Sequence, residues 1–196
     1  MTFDSKKYWI ERYESGRNSG LGSYGKLAEY KAAFVNSFIK WNSVTSLIEF
    51  GCGDGNNLSL IECESITGLD VSENALKRCF DLMPEHLFLK ATKPNIKQVK
   101  KAELVLSMDV LYHLIEDDVY NQYIKDLVNM SSKYIVIYSC NFESNDFAQH
   151  VRPRKFTDHP YLNEKCNLIH TEKNKYHATQ DTKGSFSDWY VYELKK

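Results

Sequence analysis

Short apolar runs alternate with polar or helix-patterned stretches through the middle of the chain, at 47–50, 66–71, 87–89, 104–108 and 134–139. Runs of this length, each followed by a connector, predict buried parallel strands wrapped by helices. Helical connectors fit at 72–82, where Ser72 can cap and Ala75, Leu76, Cys79 and Phe80 form one stripe, and at 116–130. Ahead of the strands, Tyr8, Trp9 and Arg12 lie on adjoining turns, and Leu27, Tyr30, Phe34, Phe38 and Trp41 recur at helical spacing, which predicts an amphipathic cover. Between these two helices, 16–25 carries four glycines in ten residues, the chemistry of a loop that acts as hinge or lid. Two β-like stretches at 167–171 and 188–194 predict a closing antiparallel pair. The pattern therefore predicts an α/β fold: a mostly parallel seven-stranded sheet, helices on both faces, and an antiparallel C-terminal strand pair.

At 196 residues the chain can bury one substantial core but is short for two, so a single domain over 1–196 is expected. A formal net charge of −1 offers no field for a phosphate backbone, so no nucleic-acid partner is expected. The N-terminus lacks an apolar signal core, and no uncharged run approaches the ~20 residues that span a bilayer. No membrane insertion and a cytoplasmic location are the expectation. The five cysteines are widely spaced without a C-x-x-C pair, which predicts reduced thiols and no metal.

The strongest chemical signal is the run Leu47, Ile48, Glu49, Phe50, Gly51, Cys52, Gly53, Asp54, Gly55, Asn56, Asn57: an apolar strand entering three alternating glycines. Such a strand feeds a tight turn where backbone can approach a ligand and the next helical turn offers free N–H groups. A second apolar strand ends in Asp70, close to the twenty residues downstream at which a carboxylate accepts from both ribose hydroxyls. Asp70 also reads as a cap before Ser72, Glu73 and Asn74. An adenosine cofactor follows from the pair. Dinucleotide folds favour G-x-G-x-x-G to cradle a pyrophosphate, whereas here the order is G-x-G-x-G, preceded by Glu49 and followed by Asn56 and Asn57. A sulfonium with an amino-acid tail fits better.

The segment Glu49, Phe50, Gly51, Cys52, Gly53, Asp54, Gly55 resembles the first motif of class I S-adenosylmethionine-dependent methyltransferases, and Gly68, Leu69, Asp70, Val71, Ser72 resembles their second. The segment 104–114 is similar to their fourth-strand region, so the likeness runs from about Tyr8 to Asn141. The resemblance implies the Rossmann-like methyltransferase fold, with S-adenosylmethionine as cofactor and S-adenosylhomocysteine as product. It implies that the methionine portion lies over Glu49, Gly51 and Gly53 near Asn56, the ribose at Asp70 and Val71, and the methyl group near Ser107, Met108 and Asp109. The chain would divide into a helical cover (1–45), a cofactor-binding core (46–141) and an acceptor-side segment with closing strands (142–196). One departure is that the acid often found after the third strand is replaced by Leu89, Lys90, Ala91 and Thr92.

Methyl transfer needs donor and acceptor held in line and, for some acceptors, a base. Candidates near the fourth strand's end are Asp109, Tyr112 and His113, of which His113 has the best-suited ordinary pKa; it reads equally as a packed helix-start histidine. The Asn/Asp-Pro-Pro-aromatic sequence of enzymes that methylate base amines is absent, which favours an oxygen acceptor. His150, Arg152 and Arg154 form a basic cluster after the fifth strand whose guanidinium forks suit a phosphate or carboxylate, or else pair with Glu143, Asp146 or Asp158. Tyr8, Trp9, Arg12 and Tyr24, with this cluster, bear a weaker resemblance to small methyltransferases of bacterial surface-polysaccharide genes. That resemblance implies O-methylation of a small molecule or of a glycan or phosphoryl intermediate, including a phosphoramidate. It also implies that Arg12 and Tyr8 face the cofactor and that Tyr24 faces the acceptor. Rival readings are a catalytically silent S-adenosylmethionine-binding subunit, a methyltransferase of an unrelated small metabolite, and, further off, a nicotinamide-dependent oxidoreductase.

Overall fold

The computed structural model describes residues 3–144, 146–178 and 184–196. Five parallel strands, β1 (Ser46–Phe50), β2 (Ser65–Asp70), β3 (Leu87–Lys90), β4 (Ala102–Met108) and β5 (Ser131–Ser139), are joined by β6 (Cys166–Glu172) and β7 (Asp188–Leu194). The sheet order is β3-β2-β1-β4-β5-β7-β6, with β7 antiparallel to both neighbours. The order reverses at β1, so the ends of β1 and β4 open a crevice at the topological switch point, where α/β sheets bind ligands.

Alternation along each central strand splits the core in two, as a sheet covered on both faces requires. Leu47, Leu104, Leu106 and Val136 face one layer with helix α2 (Gly25–Asn42) and helix α3 (Glu73–Leu82). Ile48, Val105, Ile135 and Ile137 face the other with helix α5 (Asp117–Met130). Helix α1 (Ser5–Glu14) starts at Asp4, whose carboxylate accepts from Lys7 N at 2.7 Å. Ser72 caps α3 as its position predicts.

Two predicted stripes are corrected in part. In α2, Leu27 and Tyr30 are buried and Phe34 and Phe38 pack against the core as expected, but Trp41 is 82% exposed and the buried ridge also includes Ala28, Lys31, Val35 and Ile39. The large aromatics outweighed small apolar residues in the sequence pattern, and a lysine on a buried face is not an apolar signal. Phe80 likewise points outward at 56% exposure, because α3 packs through Ala75, Leu76 and Cys79. Two short helices, α4 (Lys93–Gln98) and α6 (Pro160–Lys165), were not legible, each being under two turns and set by tertiary context. No helix among the described residues is long and apolar enough to cross a membrane.

Candidate active site

A cavity of about 760 Å³ opens over the C-terminal ends of β1, β2 and β4, within the size range of small-molecule sites. Its floor is the turn after β1. Gly51 and Gly53 have φ of +75° and +58°, a region L side chains rarely adopt. A Cβ at Gly51 would lie 2.5 Å from Val110, and one at Gly53 would strike Ser19 and the Tyr13 hydroxyl. These glycines therefore serve close packing by the protein's own cover as well as the turn.

Asp70, at the end of β2, joins the two strand ends. Its carboxylate accepts from Gly53 N and Ser72 N, each at 2.9 Å. Burial pushes its pKa up to about 6, against the pull of those N–H groups. The sequence offered ribose binding or capping for Asp70; the side chain bonds the Ser72 N–H and the glycine turn at once, and it also lines the cavity.

Glu49 is 2% exposed, and its Oε2 has no hydrogen-bond partner among the described residues. Burial raises its pKa to about 8, with Lys31 pulling down and Asp70 and Asp109 pushing up. Lys31, 1% exposed, lies 2.8 Å from Asp109 Oδ2. Asp109 sits at φ +59°, and its Oδ1 also accepts from the Tyr112 hydroxyl at 2.9 Å and the Ser187 hydroxyl at 2.8 Å. Both Asp109 oxygens are thus engaged, which suits the residue to holding Lys31 and Tyr112 rather than to taking a proton. Tyr112 in turn donates to Asp109, and burial followed by that carboxylate raises its pKa well above the ordinary phenol range.

His113 shares a 2.8 Å hydrogen bond between its Nδ1 and the backbone oxygen of His150. A carbonyl can only accept, so Nδ1 carries the proton and Nε2 keeps a lone pair. Burial drives the imidazole down to about 4, so it is neutral at physiological pH.

The Gly-rich loop expected as hinge or lid lies along the glycine turn after β1. Asp54 Oδ2 accepts from Ser19 N at 2.9 Å and from the Tyr24 hydroxyl at 2.8 Å, while Oδ1 accepts from the Ser19 hydroxyl at 2.7 Å. Asn56 Nδ2 donates to Ser23 O at 2.7 Å. Ser19, Gly20, Leu21, Gly22 and Ser23 consequently form one wall of the cavity. Asp54, Lys31 and Phe186 are among the site residues that sequence reasoning missed. A charge flanked by Ala28, Ala32 and Val35 on one helix face was the available signal for Lys31.

Of the remaining expected residues, Tyr8, Arg12, Val71, Met108 and His150 line the cavity. Tyr24, Asn56 and Ser107 do not. Tyr24 reaches under the loop to Asp54, Asn56 holds Ser23, and the Ser107 hydroxyl shares a 2.8 Å hydrogen bond with Tyr123. Arg152 and Arg154 follow the acid-pairing alternative with a different partner, since both pair with Asp117, at 3.0 and 2.6 Å, and both donate to Ile115 O at 2.9 Å. Arg154 further stacks on Tyr120 at 4.4 Å. The cluster ties its segment to the start of α5, and neither guanidinium lines the main cavity. Lys90 is a strand-end charge paired with Glu73 at 2.6 Å. The corner beyond Asp70 is lined by Ala91, Lys93 and Ile96, facing Gln122 and Asp126 of α5. Among the described residues, no group of three or more His, Cys, Asp or Glu is placed to hold a metal.

This strand order, with its antiparallel seventh strand, is the Rossmann-like class I methyltransferase fold. Residues 48–133 match the family described as a methyltransferase domain. The structure is similar to that of the N-methyltransferase NodS from Bradyrhizobium japonicum WM9, crystallised with S-adenosyl-L-homocysteine, at 17% identity and TM-score 0.74, covering 98% of this chain and 100% of that one. It also resembles magnesium protoporphyrin IX methyltransferase from Synechocystis PCC 6803 with bound S-adenosylhomocysteine, at 15% identity and TM-score 0.66, covering 97% and 99% of the two chains. In sequence it is 22% identical over 182 residues to a small RNA 2'-O-methyltransferase from Arabidopsis thaliana, covering 83% of this chain. The chain spans only 19% of the length of that relative.

Proposed function

We propose that the protein is an S-adenosylmethionine-dependent methyltransferase acting as one domain over the whole chain, with S-adenosylhomocysteine as product. The observation that carries the reading is the buried, unpartnered Glu49 oxygen beside a glycine turn and Asp70, on the floor of a cavity large enough for the cofactor. A buried carboxylate oxygen without a donor is costly, and the ammonium of an amino-acid tail would supply one. Asp70 has lone pairs left for ribose hydroxyls, Arg12 would meet the tail's carboxylate, and Ala91 with Ile96 would pack on the purine. When bound, the cofactor supplies an electrophilic methyl carbon on a positively charged sulfur.

The residues of the protein then bind, orient and exclude water. The Ser19–Ser23 wall covers the donor, Asp109 fixes Tyr112, and His113 presents Nε2 to the proton of an acceptor hydroxyl. The low proton affinity of His113 makes it too weak to ionise a hydroxyl beforehand and suits it to accept the proton late, once the forming carbon–oxygen bond has made the hydroxyl strongly acidic. The neutral ring is ready to accept at physiological pH.

The surface-polysaccharide resemblance, with a glycan or phosphoryl acceptor and a cytoplasmic setting, keeps its support from the N-terminal segments Tyr8, Trp9, Arg12 and 20–25. It draws none from Arg152 and Arg154, which are committed to Asp117. Calorimetric titration with S-adenosylhomocysteine tests the cofactor assignment, and absence of saturable binding overturns it. Transfer of a labelled methyl group to an acceptor panel separates an enzyme from a silent cofactor-binding subunit.

A further inference from the structure

The wall over the end of β4 is a continuous run of rings. Trp9 meets His113 edge-on at 4.9 Å between centroids, Tyr112 lies tilted against His113 at 4.5 Å, and Phe186 lies against Tyr112 at 5.3 Å. Tyr8 stacks on His150 at 4.8 Å and 15°. The run continues past the cavity rim, since Phe186 lies 5.4 Å from Phe147 and 6.3 Å from Phe142. Those two are 6.1 Å apart and 38% and 39% exposed. Scattered exposed phenylalanines are ordinary, but a contiguous set leading out of a cavity offers ring faces to a ligand.

Charge points the same way. Of the acids on the cavity wall, Glu49 holds its proton and Asp109 is paired with Lys31, which leaves Asp54, Asp70, Asp118 and Asp126 against the cations Lys6, Arg12 and Lys93. The arginine forks that would read a phosphate are turned to Asp117. An anion entering this space would be desolvated among carboxylates, whereas a neutral ring keeps its contacts and loses little hydration.

We infer that the acceptor is an uncharged aromatic molecule whose reacting ring lies against Tyr112, His113 and Phe186, and whose apolar remainder leaves the cavity over Phe147 and Phe142. The inference deepens the methyltransferase reading and rests on it. A ring hydroxyl oxygen would form the bond to the methyl carbon as the carbon–sulfur bond breaks, the electron pair staying on sulfur. The hydroxyl proton would pass to Nε2 of His113.

The test is calorimetric titration of the protein saturated with S-adenosylhomocysteine, using 2-naphthol as probe and glucose 1-phosphate as comparator. The expected result is saturable 2-naphthol binding, weakened about threefold to tenfold by Phe186→Ala and measurably by Phe147→Ala, with S-adenosylhomocysteine affinity unchanged in both variants. Phe147 is exposed, so its variant keeps the test valid should Phe186→Ala fold poorly. The inference is overturned if 2-naphthol shows no saturable binding, if glucose 1-phosphate binds more tightly, or if both variants bind the probe as the parent does. Failure to bind S-adenosylhomocysteine at all would bring down the methyltransferase reading, and this inference with it; binding of that ligand without the probe would bring down this inference alone.

Discussion

The half of the cavity over β1 and β2 and the half over β4 are built by different means. The first is local: Glu49, the glycine turn and Asp70 come from two neighbouring strands and the turn that follows β1, and Asp70 bonds that turn and the cap of α3. The second is assembled from α1, the end of β4, His150 and Phe186, which lie far apart in the chain and meet through rings. A local, polar, backbone-based site is suited to a constant ligand. A ring-lined site of scattered origin can change what it binds by side-chain substitution while the half over β1 and β2 stays intact.

The sharpest way to break that contrast is at Lys31, which stands between the halves, bonded to Asp109 and facing Glu49. Lys31→Ala leaves the half-buried Asp109 with Tyr112 and Ser187 but without its cation, and should cost up to about 3 kcal/mol in denaturant unfolding. A variant as stable as the parent would mean that the two halves are not coupled through this pair. Asp70→Ala should weaken S-adenosylhomocysteine binding about tenfold to a hundredfold in calorimetry, by removing charge-assisted hydrogen bonds. The same variant should leave 2-naphthol binding measurable at saturating S-adenosylhomocysteine.

Glu49 gives a smaller, pH-dependent handle. Its folded pKa of about 8 lies above the ordinary 4.5, so the folded state holds a proton that the unfolded chain has released. The stability this contributes is full below 4.5 and is lost as pH rises through about 8. An ammonium partner favours the ionised form, so S-adenosylhomocysteine affinity should rise from pH 6 to 8, by less than about tenfold per pH unit. Glu49→Gln should flatten both the melting-temperature and the affinity profiles. The smallest effect is expected at Arg152→Ala: under about 1 kcal/mol of stability, as for an exposed pair, and no change in binding of either ligand. A raised Kd for a phosphorylated acceptor in that variant would return the basic cluster to the acceptor site.

The same contrast explains what the sequence could disclose. Every strand and the helices α3 and α5 were legible because short apolar runs and one-face stripes carry their own period, as Leu47 and Ile48 do by facing opposite layers. The glycine turn after β1 and the acid ending β2 were legible because glycine spacing and a strand-end acid are local signals. Arg152 and Arg154 misled because spacing two apart announces a shared face without saying what that face meets; it meets Asp117. Lys31 and Asp54 were missed because their partners, Asp109 and Ser19 with Tyr24, lie 78, 35 and 30 positions away.

Asp54 sits inside the very turn that the cavity's cover is fastened to. The side chain that shapes the turn is thereby also the fastening of the wall above it, so a substitution at Asp54 would loosen 19–23 and the turn together.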